Sequence, residues 1–200
     1  MTDLLQLLQT RRSIRRYRPD PVPQDLIEQM LTAAAWAPSA HNRQPWRFVV
    51  ITQAAAKHEL AATLGRKLRA DLDADGLSPD LIAQDADRSY QRITNAPLLI
   101  LLCLSMTDMD SYSDEQRQQN EWLMAAQSTA LAGQNLLLAA HSLGLGACWM
   151  CAPLFAPDAA RRALHLPNDW QPQALITVGY PAETKEKTRQ PLESRVLFVD

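Results

Sequence analysis

Cysteine is scarce in this chain: Cys103, Cys148 and Cys151 are the only three in 200 residues. An odd, sparse set excludes a disulfide framework and points to reduced thiols in the cytosol. Lysine is nearly as rare, at 4 residues against 16 arginines. Long hydrophobic runs are missing too. The longest, residues 96–104, falls far short of the roughly 20 apolar residues of a spanning helix, and the start lacks the basic-then-apolar pattern of a signal peptide. These absences imply a soluble, cytoplasmic protein with no membrane partner. Nucleotide fingerprints are also absent. There is no GxxxxGK[ST] phosphate loop and no GxSxG elbow, and the GLG at residues 144–146 follows a helix and precedes a strand, the reverse of the dinucleotide order. The four histidines, His41, His58, His141 and His165, lack metal-ligand spacing, so no metal is expected.

What is present in excess is arginine, concentrated in RRSIRRYR at residues 11–18, with five arginines in eight positions. Guanidinium is permanently charged, planar and weakly hydrated, and it pairs with phosphate through two parallel hydrogen bonds. With Ser13 between them, Arg11, Arg12 and Arg15 can converge on one phosphate if the segment crosses a pocket mouth. A solvated basic face or a nucleic-acid patch would use the same residues. The net charge of -2 and the pI near 6.1 favour one compact anion over a polyanion.

With 46% apolar and 21% charged residues, the chain has the composition of one globular domain spanning residues 1–200. Thr2 or Asp3 can cap a short helix whose Leu4, Leu5, Leu7 and Leu8 form a stripe for docking onto the body. Pro23 opens an amphipathic helix over residues 24–37. Then comes PSAHNRQPW, residues 38–46, a polar loop leading into a strand at 47–52, where binding groups commonly sit. Helices are expected at 54–73 and 80–94, the second carrying little chemical signal. Residues 98–104 read as a central strand covered on both faces, and 105–115 as a loop or lid. The helix over 116–143 is small or apolar nearly all round, which suits either burial in its own monomer or contact with a partner copy. Gly144 caps it, and the two glycines Gly144 and Gly146 leave room for a flat ligand to approach the backbone. A strand at 148–151, a helix at 157–166, a strand at 173–180 and a polar tail holding Lys187, Thr188 and Arg189 follow. Strand-like RVLFVD, residues 195–200, closes the chain and needs a sheet edge to pair with.

Taken together, RRSIRRY, APSAHNRQPW, a small-residue helix ending in GLG, and GYP followed by KTR and PLE resemble the nitroreductase family of FMN-dependent oxidoreductases; SAHNRQPW is similar to the reductase of deazaflavin-cofactor biosynthesis. The resemblance implies an α+β fold: a nitroreductase-like mixed sheet flanked by helices, in an interlocked homodimer with a long central helix and a C-terminal strand reaching the partner. By motif, Arg11, Arg12, Ser13 and Arg15 would hold the FMN phosphate and ribityl chain, with Lys187 and Arg189 returning from the tail. Pro38, Ser39, Ala40 and Asn42 would reach the flavin from the other subunit. Gly144, Leu145, Gly146 and Ala147 would pass beside the ring. Gln44 stands in for the polar contact to the ring's pyrimidine edge. The implied chemistry is ping-pong hydride transfer from NAD(P)H through FMN to a small acceptor, with no side chain needed as general acid or base. Specialised branches that reduce a deazaflavin precursor or fragment FMN, and a flavin- or phosphoanion-binding module without turnover, are the competing readings.

Overall fold

The computed structural model describes residues 4–199, so the proposed cap at Thr2 or Asp3 lies outside it. In chain order the elements are α1 (Leu4–Thr10), α2 (Gln24–Ala35), β1 (Trp46–Ile51), α3 (Ala54–Ala74), α4 (Pro79–Thr94), β2 (Leu98–Leu104), α5 (Glu115–Ser142), β3 (Gly146–Met150), α6 (Ala152–Phe155), α7 (Pro157–Ala163) and β4 (Gln171–Gly179). The architecture is α+β. One sheet in the order β1-β2-β4-β3 carries helices on both faces.

β2 is the hydrophobic spine, with all seven of its residues buried. Because side chains alternate along a strand, Leu98, Ile100 and Leu102 enter a core shared with α2 and α5. Leu99, Leu101 and Cys103 enter a second core shared with α3, α4 and α7. Burial alone pushes the Cys103 thiol up to about 12, so it stays protonated filler. The expected continuous-apolar central strand is therefore present. The expected mixed sheet is not: every strand ladder is antiparallel among the described residues. Parallel pairing is confined to a single bridge, Ser13 with Ala147, because the arginine segment touches β3 at one point and then turns away.

Two apolar segments are largely uncovered among the described residues. Leu4, Leu5 and Leu8 of α1 remain 63%, 63% and 43% exposed, so the stripe does not dock onto its own body as expected. Residues 195–199 form no strand, and Leu197, Phe198 and Val199 are all more than four-fifths exposed. Their own sheet supplies no pairing partner for them.

The central helix buries one stripe and exposes another. Ala125, Thr129, Ala132, Leu136 and Ala140 pack inward at helical spacing, while Leu123 and Leu131 stay 50% and 45% exposed. Its closest approach to the sheet is at Gly133, where a Cβ would lie 2.3 Å from Trp149 Cζ3 and 2.9 Å from Leu102 Cδ2. Neither neighbour can retreat without disturbing the core. Replacing Gly133 with alanine is therefore expected to destabilise by about 1–3 kcal/mol through overpacking, despite the better helix propensity of alanine. A thermal melt checks this, and an unchanged or raised Tm would contradict the contact.

Candidate functional site

The arginine segment is held against the edge of β3 by backbone and by one side chain. The Ile14 N–H donates to the Ala147 carbonyl at 3.0 Å. The Ile14 side chain fills the space beside Gly146, where a Cβ would come within 2.8 Å of it. Glycine at 146 is thus required by Ile14, a constraint the sequence did not reveal. Gly144, at φ 77°, closes α5 in the left-handed region. Further along, the buried Tyr17 hydroxyl donates to the Ile14 carbonyl at 2.5 Å and meets Thr177 Oγ1 at 2.7 Å. Desolvation holds this phenol neutral.

With Ile14 turned inward, its neighbours turn outward around a cavity of about 300 Å³. Arg11, Arg12, Gly144, Leu145 and Gly146 of the predicted set all line it. Ser13 lies at its edge through the bridge to Ala147. The tail returns as expected, since Arg12 Nη2 reaches the Lys187 carbonyl at 3.4 Å and Arg189 is close enough to Arg11 to disfavour its charge. Arg11 has its pKa lowered by burial first, then by Arg189 and Arg12. Among the described residues no carboxylate pairs with Arg11, Arg12, Arg15, Lys187 or Arg189. The Arg12 Nε is moreover buried with no acceptor. Half-buried guanidinium groups facing one another without an anion form an incomplete arrangement that a phosphate would complete.

The structure does not bring the other predicted residues to this cavity. Pro38, Ser39, Ala40, Asn42 and Gln44 form a tight connection between α2 and β1, with non-glycine residues His41, Asn42 and Gln44 all at positive φ (49°, 54° and 51°). Each such residue costs about 1–2 kcal/mol. The turn persists because it is tied at several points. The Gln44 N–H donates to Ser39 Oγ at 3.1 Å, the Ala40 N–H to Ser128 Oγ at 3.2 Å, and Arg43 pairs with Asp110. Ser128 is 13 residues along α5 from His141 of the arginine cavity. At 1.5 Å per residue the turn's anchor and the cavity stand about 20 Å apart along the helix.

Some site residues were not legible in advance. His141 lines the cavity and meets Thr10 Oγ1 at 2.9 Å; the signal was its place in the last helical turn before Gly144. Beside the first cavity lies a second of about 470 Å³, between Arg15 and the polar face of α4, with Gln91, Arg92 and Asn95 lining it. That helix had promised little chemistry, yet its residues 88, 91, 92 and 95 follow i, i+3, i+4 spacing and share one face. The cavities adjoin: Glu183 and Lys185 line both. Cys148 is buried, and Cys151 lies beyond the end of β3 and is exposed; neither forms a disulfide. No group of three or more metal-binding side chains occurs among the described residues, and no described helix is long and apolar enough to cross a membrane.

A family model described as the nitroreductase family matches residues 8–180. A Methanothermobacter thermautotrophicus protein named as an NADH dehydrogenase/NAD(P)H nitroreductase is 32% identical, over 90% of this chain and 78% of its own length. A Thermus thermophilus NADH dehydrogenase is 33% identical, over 94% of this chain and 92% of its own. Among solved structures, a nitroreductase from Desulfovibrio desulfuricans in complex with FMN superposes with a TM-score of 0.76 at 29% identity, covering 100% of this chain and 98% of that one.

His141 has its pKa lowered by burial, then by Arg11 and Arg12. A histidine depressed in the folded state takes up its proton later than the unfolded chain does. Stability is therefore unaffected above the unfolded value of about 6.5 and is lost as pH falls below it. In phosphate-free buffer the protein should lose more Tm than its His141→Asn variant on going from about pH 7.5 to about pH 5.5. Equal losses would show that His141 is not held neutral by the cluster.

Proposed function

The chain belongs to the nitroreductase family, and from that premise we propose that it is a cytoplasmic, single-domain, FMN-dependent oxidoreductase passing a hydride from NAD(P)H to a small electron acceptor. The observation that carries this reading is the cavity rimmed by Arg11 and Arg12, with which no carboxylate pairs among the described residues, and the Arg12 Nε buried and unmatched. The residues present fit FMN. Arg11 and Arg12, with Ser13, would hold its phosphate and ribityl chain, joined by Lys187 and Arg189. The Gly144 to Ala147 backbone would run beside the ring. The pyrimidine edge has a better partner than Gln44, which lies at the distant turn; Arg15 and Gln91 share one cavity next to the phosphate site. FMN supplies the hydride chemistry, so no side chain of this chain needs to act as acid or base. What the protein does is bind, orient and neutralise. Donor and acceptor would use one open flavin face in turn.

Two copies make the site whole. The strained turn at residues 38–44 and the arginine cavity sit at different points along α5, whose exposed Leu123 and Leu131 lie on either side of the turn's anchor at Ser128. A homodimer pairing these stripes would carry the turn of one subunit toward the arginines of the other. The exposed Leu197, Phe198 and Val199 would then gain cover on the partner, as the expected C-terminal strand requires. A binding module without turnover remains a competing reading, and bleaching by a nicotinamide nucleotide separates the two.

The purified protein should be yellow and should bleach without oxygen on adding NADH or NADPH. A yellow protein that neither nucleotide bleaches would leave the specialised branches and the binding module. Arg11→Gln and Arg12→Gln should each weaken FMN binding about 10- to 100-fold, as expected for losing a charge-assisted contact. Fluorescence titration reads the change, and undiminished affinity in both variants would remove the phosphate assignment.

A further inference from the structure

The loop between β2 and α5 is held by more than an exposed connection requires. Two side chains one turn apart on α5 reach back to it. Gln118 Oε1 accepts the Tyr112 N–H at 3.0 Å, and Glu121 Oε1 accepts the Asp110 N–H at 3.1 Å. Glu121 is fully buried, and its second oxygen, Oε2, has no donor among the described residues. Removing a carboxylate from water in exchange for one backbone hydrogen bond is unfavourable. What that placement secures is the position of the loop. Asp110, fixed by its backbone, pairs with Arg43, and Asp108 pairs with Arg47 at 2.8 Å. The Ser105 N–H donates to the Pro45 carbonyl at 2.9 Å. The loop thus clasps residues 43–47, where the strained turn ends, while Ser128 Oγ holds the start of the turn through the Ala40 N–H. Residues 118, 121 and 128 follow i, i+3, i+10 spacing, so one face of α5 registers both the loop and the turn. The contacts close a ring: Glu121 to Asp110, Asp110 to Arg43, Ala40 to Ser128, and α5 back to Glu121.

We propose that Glu121 is a positioning residue: through the loop at residues 105–114 and Arg43 it sets the turn at residues 38–44, whose placement against the flavin of a second copy governs the rate of electron transfer to the acceptor. This rests on the oxidoreductase and homodimer readings above. Glu121 is enclosed in its own subunit and acts only through that ring of contacts. His41, Asn42 and Gln44 stand in the left-handed region without being glycine, a conformation that relaxes unless the surroundings hold it. Releasing one side of the ring frees the turn to shift, and a misplacement of about 1 Å is enough to cost about 100-fold in rate.

Glu121→Leu removes the acceptor at similar volume, and Glu121→Gln keeps it. In hydrogen–deuterium exchange, residues 39–44 should exchange about tenfold faster in Glu121→Leu while β2 stays protected, and Glu121→Gln should match the unsubstituted protein. With FMN bound, kcat/KM for a small quinone such as menadione should fall about 10- to 100-fold per bound flavin in Glu121→Leu and be restored in Glu121→Gln. A purely structural role would lower Tm and leave one or both readouts unchanged, which overturns the proposal. A glutamine variant as impaired as the leucine variant overturns it too. If Glu121→Leu does not fold, Asp110→Asn removes the partner of Arg43 at the surface, and the same two measurements decide, with either one unchanged counting against the proposal. Failure of the flavin assignment would show separately, as an unsubstituted protein that takes up no FMN while exchange at residues 39–44 still responds to Glu121→Leu.

Discussion

The contact on which the site depends is apolar. Ile14 occupies the space that a side chain at position 146 would fill, and its N–H completes a hydrogen bond to Ala147. A segment of five arginines has no reason of its own to lie against a sheet, because mutual repulsion and hydration both favour keeping it in solvent. One buried isoleucine and the hydrogen-bonded Tyr17 supply that reason. Once they are seated, Arg11 and Arg12 are directed to one cavity and Arg15 to the next. The protein thereby tolerates a concentration of positive charge whose relief has to come from a ligand.

That account explains why the second half of the candidate site is so far away. A single chain uses α5 as a ruler, with the arginine cavity at its C-terminal end and the strained turn of residues 38–44 tied to Ser128. Three left-handed non-glycine residues in that turn represent several kcal/mol of conformational cost. The turn is nonetheless tied on three sides, through Ser39, Ser128 and Asp110. Strain maintained against so many alternatives belongs where geometry matters, and nothing in its own chain makes use of it.

Much of this could be read from the residues beforehand. The all-apolar run at residues 98–104 could only be a strand covered on both faces, and its bounds coincide with those of β2. The arginine segment alone left a solvated face open, since the same residues serve one; the structure places Arg11 and Arg12 at one cavity. Three things were not legible. Gly146 looked like room for a ligand because sequence shows a missing Cβ and not what fills the gap. α4 looked inert because the polar face of a helix reads the same whether it meets water or a cavity. The apolar stripe of α1 looked like core because four leucines in five residues ordinarily are; Leu4, Leu5 and Leu8 remain exposed here.

Exposed leucines on α1, a second stripe on α5 and an apolar C-terminal end share one physical meaning. Exposed apolar patches commonly mark interaction surfaces, and α5 leaves Leu123 and Leu131 exposed. Burying that stripe against its own symmetry mate would do two things at once. It would remove Leu123 and Leu131 from water, and it would close the distance of about 20 Å that a monomer cannot close. Stability and site assembly would then be one event, so that a subunit released from its partner would lose its ligand along with its cover.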